Sequence, residues 1–401
     1  MELNTKGPLH GVRVLELGTM IAGPVAATLL ADFGAQVIKV EQPIGGDPIR
    51  QSGPLVDGES LWWNIEGRSK RSVTLDLRVP AGQELLRRLA AKADVLIENF
   101  RPGTMSRWNV GYPELRTVNP RLIMLSVSGY GQTGPNAPLP SYDRVALAFS
   151  GYLYVSGYPD RPPVRPGFSI ADYQTALCGA FSVMMALYHR DACGGSGQHI
   201  DLSLYETVFR FTDYLITAYD KLGAVRERTG NFAYAASPGD HYETSDGRYL
   251  ALTIAASTVF ERLCESMGRS ELALDPRFKS HPARVENYVE INGIVAAWIR
   301  SKPLQYVTAR LREHGVPHSL IYSAADIAGD PHYAARQSIA TVDTPRLGPL
   351  KMPAPVPHMS ATPAPPLKPA HTLGEDTEAV LRELLDLDAD RIAALRRDRV
   401  I

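Results

Sequence analysis

Residues 12–41 constrain the fold more than any other stretch. Val12-Arg-Val-Leu-Glu-Leu17 reads as a buried strand, and Gly18 to Pro24 as a turn. Residues 25–33 form an Ala- and Leu-rich helix closed by Gly34, and Gln36-Val-Ile-Lys-Val-Glu41 is a second strand. Strand, glycine-containing turn, helix, strand is a βαβ unit, which implies parallel pairing and a right-handed crossover. The turn Gly18-Thr-Met-Ile-Ala-Gly-Pro24 lacks G-x-G-x-x-G spacing, so nicotinamide chemistry is not supported. Its backbone amides still face the place where open α/β sheets bind ligands, beyond the carboxyl ends of the strands.

The pattern continues. Residues 72–77, 95–100 and 122–127 read as further strands. A helix over 82–92 follows Pro80, with Leu85, Leu86 and Leu89 on one face. Two loops after these strands, Asn99-Phe-Arg-Pro-Gly103 and Ser128-Gly-Tyr-Gly-Gln-Thr-Gly-Pro135, carry the glycine and proline of a backbone that approaches a ligand closely. Taken alone, each is equally readable as an ordinary turn. Residues 194–204 give a turn and a sixth strand, and residues 205–222 a helix. The composition changes near Arg228. A tight Asp246-Gly247 turn and a strand to Thr253 follow, then amphipathic helices over 259–267, 285–299 and 304–314. Residues 345–369 are too proline-rich for regular helix, and a helix over 376–385 needs a surface to dock on. The expected organisation is a large α/β Rossmann-like domain with a parallel sheet in residues 1–222, a smaller α+β domain in 223–330, and a return segment, 331–401, completing the large domain.

The chemistry is placed at the start of a long apolar segment, Arg165-Pro-Gly-Phe-Ser-Ile-Ala-Asp172 and onward to Arg190. Ala176, Leu177, Ala180, Phe181, Met184 and Met185 have the spacing of a deeply buried helix. Asp172 sits at its mouth, where unpaired N–H groups favour a carboxylate. Such a residue is either a helix cap or a nucleophile, and the stretch alone leaves both open. The formal net charge of −1 gives no global field for nucleic acid or an anionic membrane. Three widely spaced cysteines, Cys178, Cys193 and Cys264, fit neither a disulfide framework nor a thiolate zinc site. No run is expected to approach a membrane span, and the protein is expected to be soluble and cytoplasmic.

These segments together resemble the class III coenzyme A transferases, the family of formyl-CoA transferase and the carnitine CoA-transferases, with α-methylacyl-CoA racemases as relatives. The matching residues include Gly11-Val-Arg-Val-Leu-Glu-Leu17, Ala22-Gly-Pro24, residues 30–41 and 70–77, Ala93-Asp-Val-Leu-Ile-Glu-Asn-Phe-Arg-Pro-Gly103, Gly129-Tyr-Gly-Gln-Thr-Gly-Pro135 and Ala171-Asp172. Residues 194–201, Asp275-Pro-Arg-Phe278, Gly315-Val-Pro317, Asp330-Pro331 and Leu373-Gly-Glu375 extend the series almost to the end. The resemblance implies a homodimer of interlocked chains. It also implies that Asp172 is the nucleophile, forming an aspartyl-CoA intermediate. The cap and nucleophile readings are compatible, since a helix N-terminus both accepts the cap from Asp172 and keeps the carboxylate ionised. It places CoA on Thr19, Met20, Ala22, Leu75, Arg78, Asn99, Phe100 and Arg107, and the acyl or acceptor acid near Tyr142 and Asp143. The substrates implied are an acyl-CoA thioester and a carboxylic acid, with no tightly bound cofactor and no metal. Ile21 stands where formyl-CoA transferase has glutamine, and that enzyme's glycine-run lid is replaced by residues 233–241. Formate and oxalate are therefore disfavoured, and a short dicarboxylate or hydroxy acid is expected, with His241 and Asp240 as candidate acceptor contacts. A racemase would need a second base where Tyr142 stands, and a tyrosine hydroxyl ionises only near pH ~10. A non-catalytic acyl-CoA binding protein would keep the CoA contacts and need no carboxylate.

Overall fold

The computed structural model describes residues 6–401. It divides into two compact units: residues up to Tyr152 with Arg165–Leu222 and Ala334–Ile401, and Leu153–Val164 with Gly223–Tyr333. Residues 153–164, read from the sequence as part of the large domain, group with the second unit.

The first unit is built on six strands, β1 (Arg13–Glu16), β2 (Gln36–Glu41), β3 (Lys70–Thr74), β4 (Val95–Glu98), β5 (Ile123–Ser128) and β6 (His199–Ser203). Every neighbouring pair is parallel, in the order β3-β2-β1-β4-β5-β6. Parallel strands need crossovers, and the crossovers lay helices on the sheet. One face is covered by Leu85, Leu86 and Leu89 of the Pro80–Ala90 helix and by Val380, Leu381 and Leu385 of the Thr377–Leu385 helix, all buried with Leu15, Ile38, Val73 and Leu96 of the strands. Each such side chain contributes about 1.5–3 kcal/mol on burial. On another side the Ile170–Ala192 helix comes close because Gly179 has no side chain. A Cβ there would lie 2.9 Å from Leu125 Cδ2 and 3.6 Å from both Ala26 Cβ and Leu202 Cδ2.

The return segment closes the outer edge of β3. Asp376 Oδ2 accepts from the Ser72 N–H at 2.8 Å, its own N–H donates to Ser72 O, and Thr377 Oγ1 accepts from the Thr74 N–H. The docking surface expected for this helix is therefore a sheet edge that would otherwise carry unpaired backbone groups.

Several expected elements differ. The single helix over 205–222 is two, Leu204–Phe209 and Leu215–Leu222, separated by a turn in which Asp213 has φ +52. The helix over 285–299 is likewise split into His281–Glu286 and Tyr288–Arg300. The proline-rich stretch is non-helical but contributes Gly348–Pro353, paired antiparallel with Ile339–Thr344. The helix Ala389–Arg397 was not expected. The Ile170–Ala192 helix is not buried all round: Ala176, Gly179, Ala180 and Val183 face the unit, while Leu177 (62% exposed), Phe181, Met185 and Tyr188 face outward. By length and composition it is also apolar enough to cross a bilayer, which corrects the expectation that no run approaches a span. The partly buried core helix of a globular protein passes the same test.

The second unit has its own antiparallel sheet, in which Tyr249–Thr253 lies between Gly239–Glu243 and His318–Leu320. Its core gathers Leu250, Leu252, Phe260, Leu263, Val295 and Leu311. Within it Arg284 is fully buried and donates to the carbonyls of Ser237 and Phe278, with its guanidinium over the Phe260 ring.

Candidate active site

The order of strands in the sheet reverses between β1 and β4, and open α/β sheets bind ligands beyond the carboxyl ends of the strands at such a switch point. Thr19, Met20, Ile21 and Ala22 leave β1 there, and Asn99, Phe100, Arg101 and Pro102 leave β4. They line one pocket of about 370 Å³ together with Ser128 and Gly129 after β5, Tyr142 and Asp143, Trp62, and Ser169 and Asp172 at the start of the long helix. Nine of the residues singled out in the sequence thus meet in one place.

The first turn is held rigidly. Asn99 spends both halves of its amide on Thr19, accepting from its N–H at 2.8 Å and donating to its carbonyl at 2.8 Å. Gly18 is required, since a Cβ would meet Pro24 Cδ at 2.9 Å and Asn99 Oδ1 at 3.2 Å. Met20 has φ +65, a conformation costing a non-glycine residue about 1–2 kcal/mol. Its N–H donates to Asp47 Oδ1 at 3.0 Å. Beneath the turn lies a buried charge lattice. Lys39 Nζ meets Glu16 Oε1 at 2.9 Å, Asp47 Oδ2 at 2.8 Å and Gly18 O at 2.9 Å, while Lys70 Nζ meets Glu16 Oε2 and Pro24 O. Burial pulls the Lys39 ammonium down, but the carboxylates of Glu16, Asp47 and Glu41 outweigh it and hold it above its ordinary value.

Asp172 stands in a different environment. It lies in the third position of its helix, half-buried, and its carboxylate accepts no hydrogen bond among the described residues. The cap comes from elsewhere: Asp143 Oδ1 accepts from the Ala171 N–H at 2.8 Å. Burial, and then the Asp143 charge, push the Asp172 carboxyl up to about 7. The expectation that Asp172 caps its own helix is corrected: Asp143 takes the Ala171 N–H instead. The expectation that the helix end keeps Asp172 ionised meets an opposing push from burial and the Asp143 charge.

Tyr142 is 76% exposed, whereas Asp143 is 7% exposed. Ile21 and Ala22 form a buried apolar wall. A second pocket, about 210 Å³, shares Thr19 and Phe100 with the first and continues along the carboxyl edge past β2 and β3 to Leu75 and Arg78. Arg78 is folded back on Asp76, with Nε to Oδ1 at 2.8 Å and a terminal nitrogen to Oδ2 at 2.7 Å, so a phosphate must compete with that carboxylate. Arg107 lines neither pocket and donates to Thr104 Oγ1. His241 is exposed and lines a pocket of about 140 Å³ within the second unit, beside Asp240, which accepts from Asn231 Nδ2.

Two further lining residues carry chemistry to which the sequence reading gave no role. Arg101, the one cation lining the Asp172 pocket among the described residues, lay inside the Asn99-Phe-Arg-Pro-Gly103 motif, which was its signal. Trp62 had none. Its Nε1 donates to the Tyr173 hydroxyl at 3.1 Å, which in turn donates to Glu66 Oε1 at 2.9 Å, fixing the residue beside Asp172.

The model of CoA-transferase family III matches residues 9–377. The chain is 43% identical over 395 residues to the succinyl-CoA–D-citramalate CoA-transferase of Chloroflexus aurantiacus, covering 98% of each. It is 44% identical over 398 residues, again 98% of each, to the beta subunit of succinyl-CoA–L-malate CoA-transferase from that organism. Among solved structures, a CAIB/BAIF family protein from Brucella suis superposes with a TM-score of 0.83 at 33% identity, over 94% of this chain and 100% of that one.

Proposed function

The chain belongs to CoA-transferase family III, and on that premise we propose that it transfers coenzyme A from succinyl-CoA to a short dicarboxylic hydroxy acid, with Asp172 as the nucleophile. The observation that carries the reading is the unengaged carboxylate of Asp172 in the switch-point pocket. A carboxylate stripped of water and hydrogen bonds is more basic and more nucleophilic than a solvated one.

Ionised Asp172 attacks the thioester carbonyl of the donor. The tetrahedral oxyanion collapses, the C–S bond breaks, and CoA leaves as thiolate from a mixed anhydride of Asp172 and the donor acyl group. The thiolate then attacks the Asp172 carbonyl and expels the donor as its free carboxylate, leaving an aspartyl-CoA thioester. The acceptor carboxylate repeats these steps in reverse and departs as the new thioester, regenerating Asp172. Each step exchanges one activated acyl group for another, so no ATP is consumed, and the difficult transfer is divided into easier ones.

CoA lies along the carboxyl edge of the sheet. The adenosine end takes the pocket with Leu75, Arg78 and Phe100, and the pantetheine arm passes the Thr19–Asn99 lock toward Asp172. Arg101 is suited to an anionic end of the substrate, its planar fork donating two parallel hydrogen bonds to a carboxylate. Two relatives at more than 40% identity act, by name, on succinyl-CoA with citramalate or malate, which supports a C4 or C5 acceptor bearing two carboxylates.

The working form is a homodimer of interlocked chains in the cytoplasm. The outward apolar face of the long helix, with Phe211 and Ile216 also exposed, supports a covering partner. Mixing two differently tagged, separately folded preparations should yield no mixed dimers, and rapid mixing under native conditions would exclude the interlock. Transfer itself is tested with purified protein, succinyl-CoA and a panel of acids. Malate and citramalate should be converted to thioesters, and hydroxylamine or borohydride should trap the intermediate on the peptide containing Ser169 and Asp172. An adduct on another residue would end the reading. Full CoA binding with no exchange of any acid would favour a binding protein instead.

A further inference from the structure

The Ile170–Ala192 helix begins without help from its own residues. Ser169, its N-cap, makes no side-chain cap bond, and Asp172 in the first turn accepts none. The Ile170 N–H is met by Phe168 O, and that of Ala171 crosses to Asp143 Oδ1, which belongs to another helix, Asp143–Phe149. An N-cap side chain ordinarily satisfies such donors. Here a neighbouring, buried aspartate takes that place.

We propose that Asp143 is a positioning residue for the transfer reaction: by capping the Asp172 helix from outside, it leaves both oxygens of Asp172 free to attack the thioester. The proposal rests on Asp172 being the nucleophile. Three consequences follow from the geometry. The bond to Ala171 fixes the helix one residue before the nucleophile, and therefore fixes the direction of its side chain. A self-capped Asp172 would have to break a hydrogen bond before reacting, and the external cap removes that step. The cap also sets a second negative charge beside Asp172 in a pocket whose lining includes Arg101, Tyr142 and the Tyr173-anchoring Trp62. That charge adds to burial in raising the proton affinity of Asp172.

Asp143→Asn and Asp143→Ala separate these effects. Asn keeps an acceptor oxygen at the same place and caps as well as Asp, but carries no charge. In Asp143→Asn the melting temperature should stay near wild type, and the acid limb of kcat/KM should move to lower pH by about half a unit or more. Titration of the Asp172 side-chain carbon by NMR, assigned by its absence in Asp172→Asn, should show the same displacement without relying on turnover. Asp143→Ala loses both cap and charge, so kcat should fall about 10- to 100-fold while the KM for succinyl-CoA changes little. Rescue of kcat by Asn but not by Ala would separate positioning from a merely structural role. An unmoved acid limb and NMR titration in Asp143→Asn, or a wild-type kcat in Asp143→Ala, would overturn the proposal. Failure of the wild type to form an adduct on Asp172 would instead overturn the nucleophile reading on which it rests.

Discussion

Two groups of charges in the first unit are handled in opposite ways. Under the first turn, Glu16, Lys39, Lys70 and Asp47 are buried and paired, with each ammonium also meeting a carbonyl. At the mouth of the long helix, Asp172 is half-buried with neither a cation nor a donor on it. Buried ions that are fully matched hold backbone segments in register, and they resist change because removing one strands the others. A carboxylate left unmatched is poorly solvated and ready to form a bond. The lattice holds the turn still so that the unmatched group can face it in a fixed geometry.

The largest effect expected on this contrast is kinetic. Asp172→Asn should lower transfer by roughly 10⁴-fold or more, as removal of a covalent nucleophile does. Near-wild-type turnover would place the chemistry elsewhere. Lys39→Met should do the reverse, leaving Glu16 and Asp47 buried without their cation. About 3–5 kcal/mol of unfolding free energy should be lost, read as a lower urea midpoint. An unchanged midpoint would mean the lattice is not what holds the turn.

A third effect is smaller and joins the two groups. The folded-state pKa of the Asp172 carboxyl is raised, so its contribution to stability is fully present below its unfolded value near 3.8 and is lost as pH rises through about 7. Asp172→Asn, which cannot ionise, should therefore match the wild type near pH 4 and exceed it at pH 8 by about 1–2 kcal/mol, a figure reduced for solvent screening. The same ionisation means that activity should rise with pH through about 7 while stability falls. A wild type more stable than Asp172→Asn at pH 8 would reverse the assigned sign. The smallest effect belongs to the surface: Arg78→Ala should raise the KM for acyl-CoA about two- to fivefold, and high salt should erase the difference.

Much of the scaffold was legible because it depends on local chemistry. The βαβ unit of residues 12–41 shows in its run of apolar residues and its glycine turn, and β2 was placed to the residue. The loop around Asn99 does line the Asp172 pocket, but its amide is occupied in holding Thr19, a pairing across 80 residues that no local pattern encodes. The cap on Ala171 spans 28 residues and was hidden for the same reason. Periodicity reported the apolar character of the long helix faithfully. It could not report that Leu177, Phe181 and Tyr188 would stay more than 60% exposed on their own chain, because apolarity does not say what covers it.

The clasp on β3 has a consequence for biosynthesis. A ribosome delivers residues 70–74 some 300 residues before Asp376 and Thr377, which meet the backbone of that strand. Throughout translation of the intervening chain, the outermost strand of the sheet presents bare N–H and C=O groups to whatever is nearby, including other nascent chains. Polysomes carrying this message should therefore lean on co-translational chaperones. A chain stopped at residue 370 should aggregate where one stopped at residue 388 stays dispersed, a difference that sedimentation after cell-free synthesis would reveal. The stretch around Asp376 and Thr377 acts as the latch of a sheet whose strands were all made long before it.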